Sequence, residues 1–158
     1  MADARFEDAG EQSLYLAALE GDDLPVISAL VQDAVFPITE MTWQPGKRRF
    51  GLLLNRFRWE DRAAAEKRGR AYERVRSVLV VSDVLKVSTQ GIDRAERDMV
   101  LSLLSVAFEA GEDGTGRVVM TLAGDGAIAL EVEALDVTLK DVTRPYVAPS
   151  HHAPGHPE

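Results

Sequence analysis

Hydrophobic residues recur mainly at every second position along this chain, which is the spacing of a β-strand with one buried face. Leu104, Val106 and Phe108 show the alternation most clearly. Glycine, proline and aspartate separate the alternating segments, as they do between strands. The pattern predicts about eight strands, at 13–19, 35–43, 48–59, 73–81, 84–90, 99–109, 117–123 and 128–139.

Four turns are expected to join neighbouring strands. They are the Pro45-Gly46 turn before the third strand, the Ser82-Asp83 link after the fourth, the glycine-rich segment 112–116, and the turn 124–126 before the last strand. The third strand has apolar residues on both faces, which favours a central position in the sheet. We therefore expect antiparallel strands in meander order, forming a barrel or a sandwich.

The last predicted strand contains a change of phase. Ile128 to Val132 alternate on even numbers, whereas Leu135 to Leu139 alternate on odd numbers. A slip of one residue would turn the second half to the wrong face. The pattern predicts a bulge or sharp bend at Glu133-Ala134, and the competing interpretation is two separate strands.

One segment, 23–33, has the broad apolar stripe of a helix. Asp22 or Asp23 is suited to cap it, and Pro25 is suited to its first turn. The charged, alanine-rich segment 60–70 is either one or two helical turns or a mobile loop. The predicted fold class is α+β, mostly β, with one helix near the N-terminus.

The two ends of the chain differ from its body. Residues 1–12 are polar and acidic, and they predict a flexible lead before a single globular domain at 13–143. Residues 144–158 hold four of the seven prolines and all three histidines, which predicts a disordered tail.

The composition excludes several kinds of catalytic site from the body. There is no cysteine, and His151, His152 and His156 all lie in the predicted tail. A Cys-His pair, a Ser-His-Asp triad or an ordinary zinc site therefore cannot form in the body. No nucleotide-binding motif is present, so we expect no cofactor and no metal.

The chain has no apolar run of membrane-spanning length and no secretory signal at its N-terminus, and we expect a cytoplasmic location with no membrane contact.

Positive charge is concentrated in one segment. Residues 47–76 contain 11 of the 18 basic residues and four acids, a net charge of +7, whereas the remaining seven basic and 22 acidic residues give −15. Basic residues interleaved with aromatics suit a binding surface on a sheet. The candidate binding residues are Lys47, Arg48, Arg49, Arg56, Arg58, Arg74 and Arg76.

Several segments resemble a known protein family. DLPVISALVQDAV, RRFGLLLNRFRWE, VLKVSTQGIDRAERDMVLSLLSVAFE and GAIALEVEALDVTL are similar to short alphaproteobacterial proteins grouped as a domain of unknown function, DUF2948. The resemblance covers about residues 12–142. It implies a bacterial protein and assigns no activity.

Three functions remain open from the residues. The first is a non-enzymatic binding or protein-interaction domain, including self-association, that uses the basic sheet surface. The second is binding of nucleic acid or another polyanion, although aromatics that alternate with arginines should face the core on the opposite side of the strand. The third is a hydrolase or lyase built from carboxylates and arginines, which requires a pocket where an acid faces an arginine. Asp83, Asp113 and Asp125 are better suited to turns than to catalysis.

Overall fold

The computed structural model describes residues 13–147 and 153–154. Within this part of the chain, eleven strands pair into one antiparallel sheet. The strands are β1 Tyr15–Ala18, β2 Ala34–Pro37, β3 Met41–Gln44, β4 Arg49–Phe57, β5 Glu73–Val81, β6 Val84–Gln90, β7 Val100–Ala110, β8 Gly116–Leu122, β9 Ala127–Val132, β10 Val137–Asp141 and β11 Tyr146–Val147.

The strands do not follow one another in meander order. Their order across the sheet is β1-β10-β5-β4-β2-β7-β8-β9-β6, with β3 also on β4 and β11 also on β5. β1 and β6 form the two ends, so the sheet does not close. The mostly-β fold class and the antiparallel pairing are confirmed, but the predicted meander, barrel and sandwich are replaced by one open sheet.

The structure has three more strands than predicted: two predicted segments are each divided in two, and β11 lies beyond the last predicted segment. The segment 35–43 divides at Pro37, after which the 3-10 turn Ile38–Glu40 separates β2 from β3. The segment 128–139 divides into β9 and β10, which pair with different neighbours. The alternative of two separate strands was therefore correct, and each strand keeps its own alternation.

The predicted hairpin between β5 and β6 does not form. β5 lies between β4 and β10, whereas β6 pairs with β9. The link between them is held by other segments: Ser82 N–H donates to Asp136 O and Glu133 N–H donates to Asp83 O. Asp83 has a φ of 55°, which turns the chain away from β5. The hairpins β3–β4, β7–β8 and β8–β9 are confirmed.

Two short helices are present in the described residues, α1 Leu24–Leu30 and α2 Arg62–Arg68. α1 is shorter than the predicted helix 23–33 because a 3-10 turn precedes it and Val31 leaves helical geometry at φ −100° and ψ 4°. Asp23 is the N-cap residue but makes no side-chain cap bond. Segment 60–70, for which the sequence left either helical turns or a loop open, contains the helix α2. Neither helix has the length and apolarity to cross a membrane.

One apolar core joins both halves of the sheet. Inward-facing side chains from β4, β5 and β10 meet those from β7, β8 and β9, and α1 adds Leu24 and Ile27. The sheet therefore bends around this core. Representative core residues are Phe36, Leu52, Leu79, Val106, Met120, Leu130 and Leu139.

Ordered structure continues beyond the predicted domain boundary at residue 143. Tyr146 and Val147 form β11 on β5, and the Tyr146 hydroxyl accepts a hydrogen bond from the Asn55 amide. The start of the predicted tail is therefore part of the sheet, because β5 has an edge beside β10 on which these residues pair. The predicted lead, residues 1–12, and the three histidines lie outside the described residues.

Candidate functional site

The largest buried polar cluster is built around Arg56 on β4. Its guanidinium is fully buried and binds both oxygens of Asp141, with Nη2 at 3.1 and 3.2 Å. Nη1 and Nη2 also reach the Glu60 carboxylate at 2.9 Å each, and Nε donates to Ser77 Oγ at 3.0 Å. The guanidinium is thus fully satisfied by the protein itself, and it is shielded from any ligand in solution.

The electrostatics of this cluster favour the charged forms. Burial opposes the charge on Arg56, but the hydrogen bonds and charges of Glu60 and Asp141 outweigh it and raise the pKa of Arg56 above its usual value. Burial also opposes ionisation of Glu60, yet Arg56 outweighs this and holds the pKa of Glu60 below its usual value. A hydrogen bond from Arg70 is the main cause of the lowered pKa of Asp61. These ion pairs hold strand, turn and helix together.

Arg58, two residues further on, is also buried. It pairs with Glu73 on β5 and lies within 4 Å of both Glu60 and Asp61. The prediction that Arg56 and Arg58 belong to an exposed basic surface is therefore wrong. They neutralise acids that come from within the same segment and from β10.

The predicted orientation of the aromatic residues on β4 is also corrected. Arg56 shares the inward register of Phe50, Leu52 and Leu54, so it points to the core side. Phe57 takes the opposite face and is buried there under Trp59 and Tyr72, whose ring centroids lie 4.7 and 5.5 Å away. The aromatics pack on one another, and this cluster supplies no stacking platform.

The other five candidate binding residues lie apart from the ion pairs around Arg56. Arg48 pairs with Glu133, and Arg74 donates to the side chain of Asn55 at 2.7 Å. Lys47, Arg49 and Arg76 are exposed, and in the described part of the chain their side chains form no ion pair. The +7 segment of the sequence therefore does not become one basic surface.

Acidic residues do not assemble into a metal site in the described ranges, where no group of three or more His, Cys, Asp or Glu side chains is placed to hold an ion. Asp83, Asp113 and Asp125 each have positive φ, at 55°, 54° and 68°. Their predicted role as turn residues is confirmed, since aspartate tolerates this left-handed conformation.

Sequence reasoning missed a groove between α1 and β7. β7 has eleven residues, but β2 covers only Val100–Leu103 of its outer edge. α1 packs beside the rest of this edge, where Val106 N–H donates to Ser28 Oγ, and both elements line a groove of about 580 Å³. Its walls are Gly21, Leu24, Pro25, Ser28, Ala29 and Gln32 on one side and residues 104–108 on the other.

The backbone of β7 faces this groove. Val106 N–H donates to Ser28 Oγ at 2.9 Å, on the side away from β8. Backbone groups of successive residues in an antiparallel strand point alternately to either side, so Phe108 and Ala110 direct theirs the same way as Val106. No strand in the described ranges pairs with this edge beyond Leu103. Backbone donors and acceptors are thus open beside a partly apolar groove.

A comparison with protein-family models shows the family to which this chain belongs. A family model, described as a protein of unknown function, matches residues 14–156. The chain belongs to the DUF2948 family. The match confirms the resemblance seen in the sequence and extends through most of the predicted tail of this family member. Neither the curated proteins nor the solved structures give a match to it.

Proposed function

We propose that this family member is a non-enzymatic interaction domain that binds an extended protein segment along the uncovered edge of β7. The segment adds as a further strand and packs its side chains into the groove against α1. The observation that carries the proposal is the combination of open backbone groups on β7 with a groove beside the same edge. Strand addition of this type gives affinity through the main chain and specificity through the groove.

The character of the edge supports this proposal. Exposed sheet edges are usually protected by lysine, proline or a covering element, because an open edge pairs with other chains. Residues 105–110, SVAFEA, have no strand paired to this edge in the described ranges, α1 packs beside the first part of them, and they contain no lysine and no proline. Ser28 occupies only the N–H of Val106, which leaves the groups of Phe108 and Ala110 for a partner.

The surroundings indicate the chemistry of the partner. The groove itself is lined by apolar and small polar side chains, which favours a segment with small or apolar residues at alternate positions. Glu20, Asp22 and Asp23 are exposed next to Gly21 at one end of the groove, and they form no ion pair within residues 13–147. A lysine or arginine in the bound segment complements them.

The other two functions have less support from the geometry. Arg56 and Arg58 are buried in internal ion pairs and are not accessible to a polyanion. The exposed cations that remain from the candidate set are Lys47, Arg49 and Arg76. A hydrolase centred on Arg56 has no access for a substrate, because the guanidinium has zero exposure. The cytoplasmic location and self-association stay predictions.

A peptide selection tests the proposal. A phage-displayed library of random peptides is panned on the full chain, and we expect enriched sequences with apolar residues at alternate positions and at least one basic residue. Ala110→Pro removes an edge N–H without breaking the ladder to β8, and Ala29→Gln fills the groove. Each substitution should lower the affinity for the selected peptide by about fivefold. This corresponds to about 1 kcal/mol, the contribution of one lost hydrogen bond or contact.

Val26→Gln is the matched control, because Val26 is exposed on α1 but does not line the groove. Its affinity for the selected peptide should equal that of the wild type. Failure to enrich any sequence, or equal binding by all three variants, would contradict the proposed function.

A further inference from the structure

A second cavity lies on the core-facing side of β3 and shares no lining residue with the groove beside α1. Its volume is about 350 Å³, within the range of cavities that hold small molecules, about 300–1,000 Å³. Its apolar part is formed by Ile38, Met41, Trp43 and Phe50, and Thr39 adds a hydroxyl. Two arginines, Arg94 and Arg97, complete the lining.

Trp43 is one of the residues that line this cavity. It lies directly opposite Phe50 in the β3–β4 register, so both side chains point to the same face of the sheet. Phe50 is buried, whereas Trp43 keeps part of its surface exposed. The other tryptophan, Trp59, donates its indole N–H to Gln32 O at 2.9 Å, but the described residues give Trp43 no such acceptor. Trp43 therefore offers a partly exposed ring and an indole N–H that has no acceptor within residues 13–147.

The two arginines are carried by the segment that links β6 to β7. This segment is anchored where Ile38 N–H donates to Met99 O at 2.9 Å, and internally where Ala95 N–H donates to Asp93 Oδ1. Arg94 and Arg97 are exposed, and neither forms an ion pair with a residue in the described ranges. Two positive charges thus lie in the same lining as the apolar and aromatic side chains.

We infer that this cavity binds a small molecule in which a flat apolar body carries an anionic head group, either a carboxylate or a phosphate. The body packs on Trp43 and Met41, where its burial is favourable, and the head group accepts charge-assisted hydrogen bonds from Arg94 and Arg97. Arginine is suited to both head groups because its planar guanidinium donates in a fork. This site is separate from the proposed strand-binding edge and does not depend on it.

The two tryptophans make a direct test possible. A ¹H–¹⁵N spectrum of the full chain contains two indole signals, which Trp43→Phe assigns, and the Trp59 signal serves as an internal control. The chain is titrated with three probes of the same shape: 1-naphthoate, 1-naphthyl phosphate and the neutral 1-naphthamide. We expect the Trp43 signal to shift and saturate with at least one anionic probe, and the tighter anion identifies the head group.

The charge requirement is tested with paired variants. The double variant Arg94→Gln with Arg97→Gln should lower the affinity for the preferred anion by about tenfold or more, because charge-assisted hydrogen bonds are lost. The anion should then bind no more tightly than the neutral amide. Lys67→Gln with Arg68→Gln removes two exposed basic residues from α2 and should leave the affinity unchanged. The inference is overturned if no anion shifts Trp43, if the amide binds as tightly as the anions, or if both double variants behave alike.

Discussion

Replacing Arg56 by alanine should cost far more stability than replacing an exposed arginine. The Arg56 side chain has zero exposure, and its partner Asp141 is only 6% exposed. Removing one member of a buried ion pair leaves the other charge uncompensated, which costs about 3–5 kcal/mol. The comparison is Arg117→Ala, whose pair with Glu109 has side chains 51% and 57% exposed, and pairs of that kind contribute less than about 1 kcal/mol.

Circular dichroism measures the free energy of unfolding of both variants in urea and their melting temperatures on heating. For a chain of this size, the loss at Arg56 corresponds to a fall in melting temperature of roughly 6–20 °C, at about 2–4 °C per kcal/mol. A further variant that combines Arg56→Met with Asp141→Leu should recover part of the loss, since apolar side chains replace both charges. If Arg56→Ala and Arg117→Ala differ by less than about 1 kcal/mol, the buried cluster does not stabilise the fold as argued.

Two further predictions concern stability. Acid should destabilise the protein, because the folded-state pKa values of Glu60 and Asp61 are lowered: their stabilisation is complete above their ordinary pKa of about 4 and is lost as the pH falls through the lowered values. Urea unfolding between pH 7 and pH 3 checks this, and Glu60→Gln should show a weaker pH dependence than the wild type. Gly116→Ala should also destabilise the fold, by about 1–3 kcal/mol, because an added Cβ lies 2.5 Å from a Phe108 ring carbon. Gly46→Ala, with open space around it, should melt within a few degrees of the wild type; equal losses for the two glycines would contradict the packing.

Strand positions could be predicted closely from the sequence because alternation is a local property. β5 and β6 have the predicted bounds, Glu73–Val81 and Val84–Gln90. Their pairing could not be predicted in the same way, since a two-residue link is compatible with a hairpin and also with a crossing to another neighbour. The choice depends on which strands pair with the two edges of β5. These strands are β4 and β10, which lie far apart from each other in the sequence.

The buried ion cluster left a signal in the sequence that charge counting concealed. Arg56 continues the inward series of Leu52 and Leu54, and Asp141 continues that of Val137 and Leu139. Opposite charges at inward positions of two strands indicate a buried pair. The total charge of residues 47–76 suggested a surface instead, because a sum of charges ignores the face on which each residue lies.

The groove beside α1 had no comparable signal. It exists because β2 is four residues long and pairs with only the first part of the eleven-residue β7. That mismatch depends on the pairing of β2 with β7, which joins segments about 65 residues apart. Local patterns give strand lengths, but they do not show which edge stays uncovered.

Amide protection on β7 tests the central proposal most directly. Hydrogen exchange of the full chain is measured by NMR with and without a peptide selected from the library. We predict that the amides of Phe108 and Ala110, which point away from β8, exchange more slowly when the peptide is bound, while the amides of Ala107 and Glu109, which point toward β8, change little. Saturating peptide that leaves Phe108 and Ala110 exchanging at their free rates would contradict strand addition at this edge.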